Sequence, residues 1–317
     1  MGKNKAAGSG YTGGSSRPVN IPCRDLSDHH GMLDQVFDPG EDLAGQSWQG
    51  FSGEELAFFE EHGYVKGGSV LTETQLDCLR GELETFFQPE HPGRDLWYEY
   101  QRNEATAANQ VLFHALGAWR IAPGFHDLLW HLPWLGRASQ LLGGAVRFWH
   151  DQLFVKPAHD GGVVAWHQDY SYWTRTQPMS HLTCWIGLDD STLDNGCVHY
   201  VPGSHRWDLL PVTGLAGDMN AIREILDQEQ LSAFGSAVPV ELSAGECVFH
   251  HPLMVHGSYE NRSCQSRRAT VVNVFADGVK SASDKVLLAG VPPVPKGEAM
   301  QGRYFPLLYD PLAAKQR

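Results

Sequence analysis

From Ala145 onward the chain breaks into short runs: VRFWHDQLFV, VVAWHQ, LTCWIGL, CVHYV, VPVEL, ECVFHH and TVVNVFA. Each is rich in β-branched and aromatic residues, and each is closed by turn residues, which is the signature of short strands. Asn195-Gly196 and Pro202-Gly203-Ser204 are the strongest turn signals among them. Many short strands joined by short turns predict a mainly β protein built as an eight-stranded, double-sheet jelly roll. Such a fold opens a cavity at one mouth, lined by residues from strands distant in sequence.

The chain ahead of this region reads differently. Residues 1–50 are polar, rich in Gly, Ser and Lys at the start, and predict a flexible N-terminal extension. Ser52 and Glu55 form a capping-box pattern ahead of Leu56, Phe58 and Phe59, and Gly63 can end that helix. Thr72 and Gln75 open a second helix, with Leu76, Leu79, Leu83 and Phe86 at helical spacing. Residues 107–143 also read as helical, broken at Pro123 and Pro133, and a further helix is predicted within 214–235. Residues 51–285 are thus expected to form one domain, with a helical cover and a jelly-roll core from about 145. Residues 286–317 are expected to form an extended tail.

Length alone, at 317 residues, would favour two domains, but all-β barrels and sandwiches often exceed that prior. With 42% hydrophobic residues the chain can bury a sizeable core, and its net charge of -13 argues against nucleic acid as a partner. No run of about 18 apolar residues is present and no apolar leader opens the sequence, so a membrane role is not expected and the cytoplasm is. The six cysteines show no C-x-x-C pair and are expected to be reduced.

The chemistry gathers at Val163–Trp173, VVAWHQDYSYW. On an extended strand residues two apart share a face, so His167 and Asp169 are expected to point the same way. An imidazole and a carboxylate held so are two of the three ligands of a non-haem iron facial triad. The third should be a His on a late strand, and His250, His251 and His256 are the candidates. Pro252 disturbs the strand after the first two, whereas His256 ends the apolar run LMV, so His256 is the expected ligand. An oxygen-activating iron(II) needs a reductant, commonly a small keto acid, and the planar fork of an arginine grips its carboxylate. Arg267 and Arg268 open the next strand, and only one of them can face the cavity.

The H-Q-D at 167–169, LTCWIGLDDSTLDNGCVHYVPGSH at 182–205 and FHHPLMVHGS at 249–258 followed by Arg267 resemble the phytanoyl-CoA dioxygenase family. The resemblance covers about residues 55–285. It implies an Fe(II)- and 2-oxoglutarate-dependent oxygenase with a double-stranded β-helix, cupin-like core. It further implies His167, Asp169 and His256 as iron ligands, and Arg267, eleven residues past the distal His, as the 2-oxoglutarate anchor. Trp185 and Ser258 match positions that line the co-substrate pocket, and Gln152 matches another. A lysine that some relatives use would fall near Val111 and is absent, which moves weight onto Gln152 and Thr183. Halogenating relatives carry a small residue where Asp169 stands, so hydroxylation is the outcome this resemblance implies.

The expected activity is hydroxylation of a small molecule with O2, releasing succinate and CO2. Tyr170, Tyr172, Trp173 and Arg175 are expected to wall the substrate pocket, a lining that would suit an apolar or ring-bearing molecule with an acidic group. His114, His126, His131, His150, His181, His199 and His205 are expected to be packed or surface groups. A jelly-roll module that binds a metal or small ligand without turnover is the contrasting reading, and a cupin-type isomerase or hydrolase is another. Neither needs Arg267, and succinate release coupled to O2 uptake separates all three.

Overall fold

The strand runs pair into two antiparallel sheets that face one another, as the sequence predicts. The computed structural model describes residues 24–34, 36–37, 49–107 and 109–314. The larger sheet has eight strands. Its path runs β1 (Tyr64–Ser69), β10 (Glu246–His250), β7 (His181–Gly187), β12 (Arg267–Ala276), β4 (Val146–Lys156), β3 (Phe113–Leu116) and β2 (Glu99–Gln101). A further strand, β14 (Leu307–Tyr309), also pairs with β4. The smaller sheet is β5 (Val164–His167), β11 (His256–Ser258), β8 (Val198–Tyr200) and β9 (Val238–Val240). A two-stranded ribbon, β6 (Thr176–Gln177) with β13 (Lys280–Ser281), stands apart.

Alternation assigns the faces. On β12, Ala269 and Val271 point between the sheets with Trp185, Val198, Tyr200 and Val248. Val272 and Val274 belong instead to the layer under the helices, with Phe148, Leu182 and Phe249. Residues two apart share a sheet face, so one strand serves both layers. The helical cover uses the caps read from the sequence. Ser52 and Glu55 close a capping box on Gly53–His62, and Gly63 ends it at φ 81°, a left-handed conformation that favours glycine. Thr72 and Gln75 do the same for Glu73–Thr85, which buries Leu76, Leu79 and Leu83. A third apolar cluster lies behind the smaller sheet, where Trp166 and Val255 meet Leu210, Ile222 and Phe234.

Several elements differ from expectation. Residues 107–143 are not helical throughout: Phe113–Leu116 is a strand, fully buried and paired on one side with β4 and on the other with β2. Four residues carry no usable period, and the pairing partners decide. The helix predicted within 214–235 splits into a 3-10 turn at Ala221–Ile225 and a helix at Gln228–Phe234, because Asp227 caps a new start with Gln230. His256 opens a strand instead of ending a run.

Much of the first 50 residues lies outside the described residues, but Asp25 is firmly placed. It accepts bonds from Arg120 Nε (3.1 Å) and Nη2 (2.5 Å) and from Arg303 Nη2 (2.8 Å), tying both chain ends to the helical cover. Burial opposes ionisation of Asp25, yet the bonds from Arg120 and Ser27 outweigh it and lower its pKa to about 2 from 3.8. A carboxyl whose folded pKa is depressed contributes stability above its unfolded pKa and loses it as pH falls through the folded value. The folded state therefore favours the ionised carboxylate by about 2 kcal/mol, and Asp25→Asn should cost about that much at neutral pH. Denaturant melts at pH 7 and pH 3 should show the gap between variant and wild type narrowing at the lower pH. A gap that widens in acid would contradict this.

Candidate functional site

The site forms where β5 and β11 of the smaller sheet face β7, β10 and β12 of the larger one. His256 pairs in register with His167. The expected geometry holds in outcome though not in means. The strand ends at His167, and Asp169 sits in right-handed helical backbone (φ -58°, ψ -44°) at the start of a short helix, Tyr170–Trp173. That turn brings the carboxylate back beside the imidazole. Gln168 points the other way, where its amide donates to Leu253 O (3.0 Å) and its Oε1 accepts from Leu210 N (2.8 Å).

Hydrogen bonds settle which atoms face inward. His167 Nδ1–H donates to Ala165 O at 2.8 Å, and His256 Nδ1–H to Met254 O at 2.9 Å. Each ring is thereby fixed as the tautomer whose Nε2 carries a free electron pair. Those two Nε2 atoms lie 3.3 and 3.7 Å from Asp169 Oδ1. The other carboxylate oxygen is spoken for: Oδ2 accepts from the Thr183 hydroxyl at 2.6 Å and from His250 Nε2–H at 3.0 Å. His250 Nδ1 in turn accepts from the Tyr200 hydroxyl at 2.9 Å. Burial resists charge on Asp169, but the facing imidazoles of His256, His167 and His250 prevail and hold its carboxyl well below the usual carboxylate range. Burial, with His167 and His250 adjacent, pushes the His256 imidazole down, which keeps it neutral.

Three electron-pair donors of His167, Asp169 and His256 thus meet within 4.8 Å of one another, with no proton to share. Neutral nitrogen and anionic oxygen in this arrangement match the donor set of a divalent transition metal. The donor chemistry fits.

At the far end of the same pocket lies Arg267, 1% exposed, with Nε and one terminal nitrogen making no hydrogen bond. Burial depresses its guanidinium to about 10. Its face lies 5.4 Å from the Trp185 ring. Arg268 is spent elsewhere, donating to both oxygens of Asp189 at 2.8 Å and to Glu84 at 3.1 Å. Gln152, Thr183, Trp185 and Ser258 all line this pocket, though the Thr183 hydroxyl is committed to Asp169.

Sequence reasoning passed over Lys156. It sits opposite Arg267 in the β4–β12 ladder, is fully buried, and donates to Ser258 Oγ (2.6 Å), Ser258 O (3.2 Å) and Tyr259 O (2.5 Å). Burial and the adjacent Arg267 hold its ammonium well below the usual lysine range. The signal was available, since Lys156 lies four residues past Gln152 on one strand and so faces the same way. His250 was weighed only as a ligand, and its role as a donor to Asp169 follows from its pairing with Thr183. His114 and His150 are buried and packed, as expected, and both also line a second cavity that borders His167, Asp169 and Gln152, whereas His205 bonds to Glu60 O.

A model of the family described as phytanoyl-CoA dioxygenase matches residues 59–269, more than half of the chain. An L-proline trans-4-hydroxylase from Streptomyces griseoviridis is 30% identical over 194 residues, covering 53% of this chain and 72% of that protein. A phytanoyl-CoA dioxygenase from Arabidopsis thaliana is 39% identical over 145 residues, which is 45% of this chain and 49% of the relative, so the match spans about half of that relative's length. Among solved structures, the non-heme alpha ketoglutarate dependent carbocyclase of nogalamycin biosynthesis superposes with a TM-score of 0.64 at 26% identity, covering 82% of this chain and 97% of that one. The epimerase of the same biosynthesis, in complex with Fe3+, alpha ketoglutarate and nogalamycin RO, shares the fold with a TM-score of 0.67 at 23% identity, covering 81% and 98%.

The two adjacent arginines should separate in stability measurements. Arg267→Met removes a buried cation with unpaired donors and should stabilise the ligand-free protein by about 1–3 kcal/mol. Arg268→Met breaks a two-pronged ion pair and should destabilise by a similar amount. Chemical denaturation of both variants without added ligand checks this, and equal destabilisation would contradict it.

Proposed function

The chain belongs to the phytanoyl-CoA dioxygenase family, and from that premise we propose that it is an Fe(II)- and 2-oxoglutarate-dependent oxygenase that hydroxylates a small molecule. The observation that carries this is the pairing of two features in one pocket: three converging donors, and a buried arginine with two guanidinium nitrogens that, among the described residues, make no hydrogen bond. A metal-binding module has no use for the second. His167, Asp169 and His256 would hold the metal through Nε2, Oδ1 and Nε2. Arg267 would pair with the distal carboxylate of 2-oxoglutarate, whose charge answers the otherwise uncompensated guanidinium.

Iron(II) held this way would supply dioxygen activation, with the electrons drawn from oxidative decarboxylation of the keto acid to succinate and CO2. The protein's own part is orientation and exclusion. Trp185 would lie along the keto acid, and Ser258, anchored by Lys156 through its oxygen, keeps its hydroxyl hydrogen free to donate into the pocket. Gln152 borders both this pocket and the outer cavity, a position from which it could touch co-substrate and substrate. Thr183 and His250 lock Asp169 so that one oxygen alone faces inward, leaving the opposite side of the site open to O2 and substrate. Asp169 would serve as the third ligand where halogenating relatives carry a small residue, which supports hydroxylation over halogenation. The fold also serves a carbocyclase and an epimerase, and the likeness to an L-proline trans-4-hydroxylase is what supports hydroxylation.

Metal titration checks the ligand set. His256→Ala should abolish tight Mn(II) binding, whereas His250→Ala, removing only a bond to a ligand, should weaken it about 10–100-fold. Retained affinity in His256→Ala with loss in His250→Ala would reverse the assignment. For the co-substrate, Arg267→Ala should cost about 2–5 kcal/mol of 2-oxoglutarate affinity, roughly 30- to 5,000-fold, because the carboxylate loses its buried partner. Arg268→Ala should leave that affinity within about threefold in calorimetric titration, and the opposite order would refute the pocket.

A further inference from the structure

We propose that the cavity beside the metal-ligand cluster binds a small polar substrate through a protonated nitrogen, recognised by His114, Glu104 and Glu99. The inference rests on the oxygenase reading and names its substrate class. The cavity measures about 350 Å³ and borders His167, Asp169 and Gln152. By residue type its wall is aromatic, with Trp149, Tyr172 and Trp173 prominent. By atom it is not. Both ring nitrogens of His114, the Trp149 indole nitrogen and Glu104 Oε2 are buried without a well-aligned hydrogen bond, although Glu104 Oε2 and His114 Nδ1 lie within ion-pair distance of each other. Each such orphan is costly to bury, and a native protein holds few of them. His114 and Trp149 of the cavity wall and the adjacent Glu104 together form the complement of a polar ligand.

The charge of that ligand follows from the acidic side of the cluster. His114 is 3% exposed, and its ring is fixed by stacking on Phe154 at 4.5 Å and 11°. Glu104 Oε2 lies 2.9 Å from His114 Nδ1 but makes no hydrogen bond with it. Ligand atoms of Glu99, Glu104 and His114 lie within 4.8 Å of one another. Among the described residues, neither glutamate has a lysine or arginine partner within ion-pair distance. Two carboxylates held so close repel unless a cation stands between them. An organic ammonium suits this place better than a second metal: Glu99 is exposed, and aromatic faces nearby favour organic cations. The chain's net charge of -13 draws cations toward the mouth. Arg175 lines the same cavity, where its guanidinium donates to the carbonyls of Val286 and Leu287 and, among the described residues, has no carboxylate within ion-pair distance, and so can receive a substrate carboxylate. A molecule of amino-acid size and charge satisfies both ends.

The test uses the full chain loaded with Mn(II) and 2-oxoglutarate, titrated calorimetrically with the common L-amino acids and with their N-acetyl forms, which lack the ammonium. At least one free amino acid should bind at least tenfold tighter than its N-acetyl counterpart. Glu104→Gln should erase that preference, and Glu99→Gln should reduce it, giving a second variant should the first fail to fold. The proposal is overturned if N-acetyl forms bind as well, if no free amino acid binds, or if the preference survives in both variants. It is also overturned if a second equivalent of Mn(II) or Zn(II) binds wild type and is lost in Glu104→Gln. Absence of 2-oxoglutarate heat with wild type, while amino-acid discrimination persists, would instead sink the oxygenase reading alone.

Discussion

The carboxylate of Asp169 is the group on which the rest of the site depends. It is taken from water into a pocket where charge is costly, and it stays ionised because each oxygen has its own surroundings. Oδ2 accepts two hydrogen bonds, from Thr183 on β7 and His250 on β10. Oδ1 accepts none from those strands and faces the two Nε2 atoms of His167 and His256. The larger sheet therefore orients the acid, and the smaller sheet supplies the bases. Neither sheet makes the site alone, which is why a double-sheet fold is required and a single open sheet would not do.

The second constraint is an excess of buried positive charge. Arg267 and Lys156 stand opposite one another in the β4–β12 ladder, both fully buried, and among the described residues no carboxylate lies within ion-pair distance of either. Lys156 satisfies its donors on Ser258 and Tyr259, whereas Arg267 leaves donors open toward the pocket. A protein gains nothing in stability from an unpaired internal guanidinium. Such a group marks a place where an anion is meant to complete the structure, and stability is given up for binding. The outer cavity repeats this logic with the opposite sign, since Glu99 and Glu104 crowd together beside the His114 imidazole, whose Nε2 makes no hydrogen bond.

Much of this was legible in the sequence, for identifiable reasons. Strand runs such as LTCWIGL and TVVNVFA carry enough β-branched and aromatic residues to declare themselves, and the capping boxes at Ser52 and Thr72 fix helix starts by local chemistry alone. The grouping of His167 with Asp169 was also readable, although period-two alternation presumes a strand that in fact ends at His167. What stayed hidden depends on pairing. The strand at Phe113–Leu116 exists because β4 and β2 flank it, and no pattern of four residues announces that. The link between His250 and Asp169 spans 81 positions and needs the β10–β7 register to be seen. His114, Glu99 and Glu104 come together only when β2 folds onto β3.

On the proposed reading, one pocket holds both a metal at His167, Asp169 and His256 and a keto acid reaching from that metal to Arg267. A crystal structure of the protein grown without oxygen, with Mn(II) and 2-oxoglutarate, tests both halves at once. The predicted result is one metal ion bound by those three side chains and a carboxylate paired with the Arg267 guanidinium beneath Trp185. A metal bound instead through His250, or a keto acid lying away from Arg267, would contradict it.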